Sequence, residues 1–248
     1  MKNRCAATIL RAVTNSLKVL VLGVGCWVLG VSGCGGKSQT PTPEPTAPLP
    51  TAGIAAQQVA LLPLTLVAAE ESLGWGPLLG ERRAALAKGD SVLGTLLQAR
   101  APEVTWILPG ELRRAARRAP GIAPDPDQMG SAILMRGSKH KPETVPDPLR
   151  SELRTLAALA GGGGGRYVLV PAGLVFRRTG GGEQPSGEAA ARPTAGQPDR
   201  PFGTAELTVV LADVRTGRVG FRTVARGEGP DPWTALTRAV KSLTPGLP

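Results

Sequence analysis

Residues 206–223, ELTVVLADVRTGRVGFRT, hold two strand-like runs around one turn, and their reading decides the fold. Residues 207–211 combine Leu207 and Leu211 with β-branched Thr208, Val209 and Val210. Residues 219–225 alternate, with Val219, Phe221 and Thr223 on one side and Gly220, Arg222 and Val224 on the other. Period-two alternation is the signature of a strand, and Gly217 sits where a tight hairpin needs positive φ. Working outward, Asp231-Pro232 opens a closing helix whose Trp233, Leu236, Val240 and Leu243 form one stripe, expected to pack on the sheet beside the hairpin. Upstream, residues 166–177 (RYVLVPAGLVFR) predict a third strand.

The remaining elements alternate. Residues 59–67 (VALLPLTLV) read as a buried strand in which Pro63 demands an edge or a bulge. Asp90 is expected to cap a helix bearing Leu93, Leu96 and Leu97, followed by an apolar run over 104–108 and a short basic helix over 111–118. Asp147-Pro148 reads as the N-cap and first residue of a helix whose Leu149, Leu153, Leu156 and Ala160 form one stripe before the Gly161 stop. This order predicts an α/β (α+β) domain over 54–248, a single mixed β-sheet with helices packed on it. The Gly-, Pro- and charge-rich stretch 180–203 reads as a disordered insertion.

Ahead of the domain, Val31-Ser32-Gly33-Cys34 matches a bacterial lipobox. A basic start (Lys2, Arg4, Arg11, Lys18) and a thirteen-residue apolar run over 19–31 precede it, too short for the ~20 residues a membrane span needs. Residues 1–33 are therefore expected to be a signal peptide cut by signal peptidase II between Gly33 and Cys34, leaving Cys34 lipidated. The other cysteines, Cys5 and Cys26, fall within the leader, so no disulfide can form in the mature chain. Residues 34–53, which include SQTPTPEPTAPLPT, read as a Pro-rich tether, with a reach of roughly 60 Å at ~3.1 Å per residue. Four of the 29 basic residues leave with the leader, so 25 face 19 acidic ones and the formal charge falls from +10 to +6. Abundant Arg, Ala and Gly with asparagine confined to Asn3 and Asn15 is the pattern of a GC-rich genome, and no nucleic-acid partner is expected.

The ordered set of VALLPLTL, VTWIL-P-x-E-L, RYVLVPAGLVF, ELTVVLADVRTGRVGFRT and the closing helix resembles a periplasmic domain family. That domain is shared by the amino-terminal part of TolB, the curli-secretion lipoprotein CsgG and the lipoprotein activators of penicillin-binding proteins. The resemblance spans about residues 57–243. It departs at Leu64 and Pro171, where the family often carries an aromatic and a glycine, and in two long insertions. It implies an envelope interaction or assembly module without catalysis, and no cofactor is expected. Gly35 after the lipid cysteine, in place of aspartate, points to sorting to the periplasmic face of the outer membrane.

The residues agree with a non-enzyme. His140 is the sole histidine, in the basic loop GSKHK, so a multi-histidine zinc site cannot be built and no metal is expected. Asp125 and Asp127 lack the spacing of a calcium loop. Residues 161–165, GGGGG, lie between a helix and a strand, the reverse of a phosphate cradle. Glu70-Glu71 are adjacent and cannot converge on one substrate. The surface with most to offer is the basic helix. Spacing of four stacks Arg113 on Arg117 and Arg114 on Arg118, giving a basic face near Trp106 for an envelope protein or cell-wall polymer. A cell-wall hydrolase is the alternative, favoured by a cleft with a perturbed acidic pair.

Overall fold

The computed structural model describes residues 46–137, 143–160, 162, 165–179 and 202–244. One mixed sheet organises them, in the order β3-β1-β4-β5-β6. Its strands are β1 (Gln58–Leu61), β2 (Val67–Ala69), β3 (Thr105–Ile107), β4 (Tyr167–Arg178), β5 (Gly203–Asp213) and β6 (Arg218–Gly229). β3, β1 and β4 run parallel, whereas β4, β5 and β6 are antiparallel; β2 follows β1 along the same side of β4. The helices are α1 (Gly76–Leu79), α2 (Arg82–Arg100), α3 (Pro109–Arg118), α4 (Leu149–Ala160) and α5 (Pro232–Leu243). The expected α/β class with a single mixed sheet therefore holds.

Alternation along the strands divides the core in two. Val59, Leu61, Leu207, Val209 and Leu211 face α2 and α5, while Ala60, Leu62, Val168, Val170, Val210 and Ala212 face α3 and α4. Helices thus cover both faces, as the connections between parallel strands require. The hairpin turns at Gly217, φ +72°, with its N–H bonded to Asp213 O at 2.8 Å. Asp231 caps α5 as its sequence predicts, accepting from the N–H groups of Trp233 and Thr234, each at 3.0 Å. Leu236 is fully buried on the sheet, but Trp233 is only half-buried, its ring under the Lys88 ammonium at 4.4 Å.

Two prolines shape the centre. Pro63 splits the predicted strand 59–67 into β1 and β2, and Pro171 lies in β4 with strands on both sides of it. In the parallel ladder, Leu62 N–H donates to Leu169 O at 3.0 Å, so the next bond would run from residue 171 to Leu62 O. Proline has no N–H to give. The ladder stops, β4 bulges between Pro171 and Gly173, and pairing resumes one residue out of step, with Leu174 N–H on Leu66 O at 3.0 Å. The slip is visible in the packing: Leu169 and Leu174, of opposite parity, both point at α2 and α5.

Three predictions need correction. α4 starts at Leu149, with Ser151 N–H and Glu152 N–H on Pro148 O, so Asp147 is not its N-cap nor Pro148 its first residue. α2 starts at Arg82, so Asp90 lies inside the helix and caps nothing; the run ERRAALAKG ahead of it consists largely of good helix formers. The chain also joins the domain before residue 54. Thr46 Oγ1 donates to Val224 O at 3.3 Å and accepts from Arg226 N–H at 3.1 Å, and Leu49 is buried with its N–H on Leu243 O at 2.8 Å. Cys34, Gly33, the loop around His140 and nearly all of the 180–203 stretch lie outside the described residues; Gly203 itself opens β5.

Candidate functional site around Arg113

The interrupted ladder leaves Leu64 N–H without a strand partner, and a buried donor must find one. It finds Asp90 Oδ1, at 2.7 Å. Gly89 lets α2 come this close, since a Cβ there would lie 3.1 Å from Leu64 Cδ2. The Asp90 carboxylate is only 6% exposed and needs a cation, which α3 supplies: Arg113 Nη2 donates to Asp90 Oδ2 at 2.6 Å. The same guanidinium holds Asp127 by a fork, Nε to Oδ1 at 2.9 Å and Nη2 to Oδ1 at 2.6 Å. Asp127 is in turn placed by a short turn that Asp125 caps, its Oδ1 accepting from Asp127 N–H at 3.0 Å.

Burial pushes the Asp90 carboxyl above its ordinary range, against the pull of the Leu64 N–H and of Arg113. The hydrogen bond to Asp127, with that to Asp90, raises Arg113 and keeps it charged. Arg113 thus ties the break in the sheet to α2, α3 and the 125–128 turn. Two depressions flank it. One of about 330 Å³ lies against Ala116, Arg117, Ala123 and Pro126; another of about 260 Å³ opens between α2 and the start of α3, over Ser91, Gly94 and Pro109.

The four arginines predicted to share a face do not act alike. Arg113 is turned inward, 28% exposed, and is used up by two carboxylates. Arg114 is exposed with only a loose approach to Glu111 at 3.8 Å, and Arg117 and Arg118 are exposed with no partner among the described residues. Trp106 is not beside them. It is buried on the opposite side of the sheet, its indole N–H on Ala101 O at 3.1 Å. The turn beyond α3 instead exposes Ile122, at 72%.

The other carboxylates that drew notice in the sequence serve the fold. Asp125 and Asp127 form the capped turn and the arginine fork, and Glu70 accepts from Arg178 N–H at 3.0 Å and from Ser72 Oγ at 2.8 Å. Asp213 accepts from Arg166 Nε at 2.9 Å and from the hairpin N–H of Arg215 at 2.9 Å. Among the described residues no three His, Cys, Asp or Glu side chains gather as a metal site would require, and no helix is long and apolar enough to cross a membrane. The Asp90 to Arg113 link was missed in the sequence. Its available signal was an acidic residue on the apolar stripe of a helix, which demands a buried donor or cation.

No protein-family model matches the chain, and no curated protein matches it in sequence. Among solved structures it is similar to the C-terminal domain of LpoB from Salmonella enterica, at 14% identity over 71% of this chain and 83% of that one, with a TM-score of 0.33. It is likewise similar to PelC from Paraburkholderia phytofirmans, a dodecamer, at 10% identity over 80% of this chain and 94% of that one, with a TM-score of 0.32. Likenesses this slight decide nothing about the chain, whose fold class rests on its own sheet.

Proposed function

We propose that this chain is a bacterial envelope lipoprotein, held at the periplasmic face of the outer membrane through Cys34, whose α/β domain is a non-catalytic binding module for another envelope component. The observation that carries the binding surface is the division of labour on α3. Arg113 is neutralised inside the domain, while Arg117 and Arg118, on the same helix and next to Ile122, present exposed cations with nothing to satisfy them among the described residues. Unpaired charge beside an apolar side chain suits an acidic protein surface or an anionic cell-wall polymer. The lipobox and the cysteine-free domain support the anchor.

Two measurements test this. Radiolabelled palmitate should enter the wild type and not Cys34→Ala; label on the variant refutes the anchor. Cross-linked complexes recovered from the native envelope should weaken when Arg114, Arg117 and Arg118 are reversed to glutamate with Arg113 kept, and should weaken with salt in the wild type, because exposed charges are screened beyond ~8 Å at physiological ionic strength. Equal recovery in both proteins at low and high salt removes α3 as the docking surface.

A further inference from the structure

Among the described residues the sheet has three edges, and they are not treated alike. The long edge of β6 is closed at both ends: Val219 N–H donates to Glu143 O at 2.9 Å and Val145 N–H to Gly217 O at 2.8 Å, while Thr46 bridges Val224 and Arg226 at the other end. Between them the Arg222 guanidinium folds across to Glu143 and Leu134 O. At β3, Thr105 N–H donates to Gln57 O at 3.0 Å, so of its three residues only Trp106 turns its main chain outward. β2 differs. Leu66 O and Glu70 N–H are bonded to β4, which by alternation turns the N–H and C=O of both Val67 and Ala69 away from it. Among the described residues nothing bonds to these four groups. Thr65 O, the carbonyl before them, is taken by Arg82 Nη2 at 3.1 Å.

We propose that β2 pairs with β2 of a second copy of this chain, antiparallel about a twofold axis through Ala68. In that register Val67 of one copy faces Ala69 of the other, and the four outward groups of each strand close four main-chain bonds. The side chains allow it, being small along the strand, with Ala68 exposed. Exposed Ile133 flanks the pairing, on the turn whose Ser131 hydroxyl meets that of Thr65 at 2.7 Å. The ends of the strand are complementary. Arg82, held to Thr65 O, stands at its start, and Glu71 follows its end, exposed and with no partner among the described residues. An antiparallel pair sets each start against the other's end, so the patch fits a copy of itself. An unguarded edge is the usual template for such pairing.

Cross-linking tests the register. In the full chain, in detergent and with Cys5, Cys26 and Cys34 changed to Ala, Ala68→Cys supplies the lone thiol. The pair at residue 68 is the non-hydrogen-bonded kind, with Cα atoms about 4.5 Å apart, inside disulfide range. Oxidation should give a covalent dimer at least tenfold faster than for Val67→Cys or Ala69→Cys. Adding Ala69→Pro removes an outward N–H and no bond to β4, and should slow the cross-link at least tenfold. If circular dichroism shows that variant unfolded, charge reversal takes its place: Glu71→Arg or Arg82→Glu alone should slow the reaction several-fold, and the two together should restore it. Equal cross-linking at 67, 68 and 69, no dimer at 68, or indifference to both sets of changes overturns the proposal.

Discussion

Replacing Arg113 by methionine keeps an unbranched apolar stem and removes the guanidinium with its charge, which isolates what the guanidinium does for Asp90. The Asp90 carboxylate, 6% exposed, would keep its bond from Leu64 N–H and lose a cation at 2.6 Å. Removing one partner of a buried pair costs ~3–5 kcal/mol. Arg113 is itself 28% exposed, so water can reach part of the vacated space, and Asp127, half exposed, adds little. A loss of about 2–3 kcal/mol at pH 7 is expected, or roughly 5–10 °C in Tm for a domain of this size. The sign of the pH dependence is distinctive. Asp90 already titrates above its ordinary value of 3.8 because it is buried, and without Arg113 it rises further. A carboxyl raised in the folded state binds a proton there before it does in the unfolded chain, so its burden is full above the folded value and is relieved as pH falls through it. The deficit of Arg113→Met should therefore shrink from pH 7 towards pH 4, measured as the difference in urea midpoint from wild type at each pH. An unchanged midpoint at pH 7, or a deficit that grows on acidification, would refute the account of Asp90 as a buried anion held by Arg113.

Gly227→Ala should destabilise by more than ~3 kcal/mol in chemical unfolding, because a Cβ on β6 would overlap Ala239 N and lie 2.5 Å from Ala235 O, lifting α5 off the sheet. Asp231→Ala removes the α5 cap and should cost about 1 kcal/mol at pH 7. Burial pushes the Asp231 carboxyl up, but the Thr234 hydroxyl and the N–H groups of Thr234 and Trp233 outweigh it and hold it below 3.8. A depressed carboxyl stabilises above its ordinary value and stops doing so as pH falls through the lowered one. The Asp231→Ala deficit should accordingly hold level from pH 7 to pH 4 and vanish only in stronger acid, a lower pH window than the one in which the Arg113→Met deficit shrinks.

What the sequence by itself determined were the elements whose signals are local. Gly217 must supply positive φ between two strand-like runs; Asp231-Pro232 supplies the cap and first residue of α5; Leu149, Leu153 and Leu156 share a face by spacing alone. These readings hold in the structure because each depends on residues within a turn or two of one another. Pro63 also announced its break. What the break required was decided elsewhere, by a second proline 108 positions along in β4, which removed the N–H that Leu62 O would have met. Only the tertiary register then left Leu64 N–H open to Asp90, 26 residues away, and brought Arg113 to the carboxylate. The spacing of arginines on α3 showed which of them stack but not what they face, so Arg113 and Arg117 looked alike in sequence. Burial separates them, since a charge at the seam between helices must be paired, whereas one turned to water is free to meet a partner.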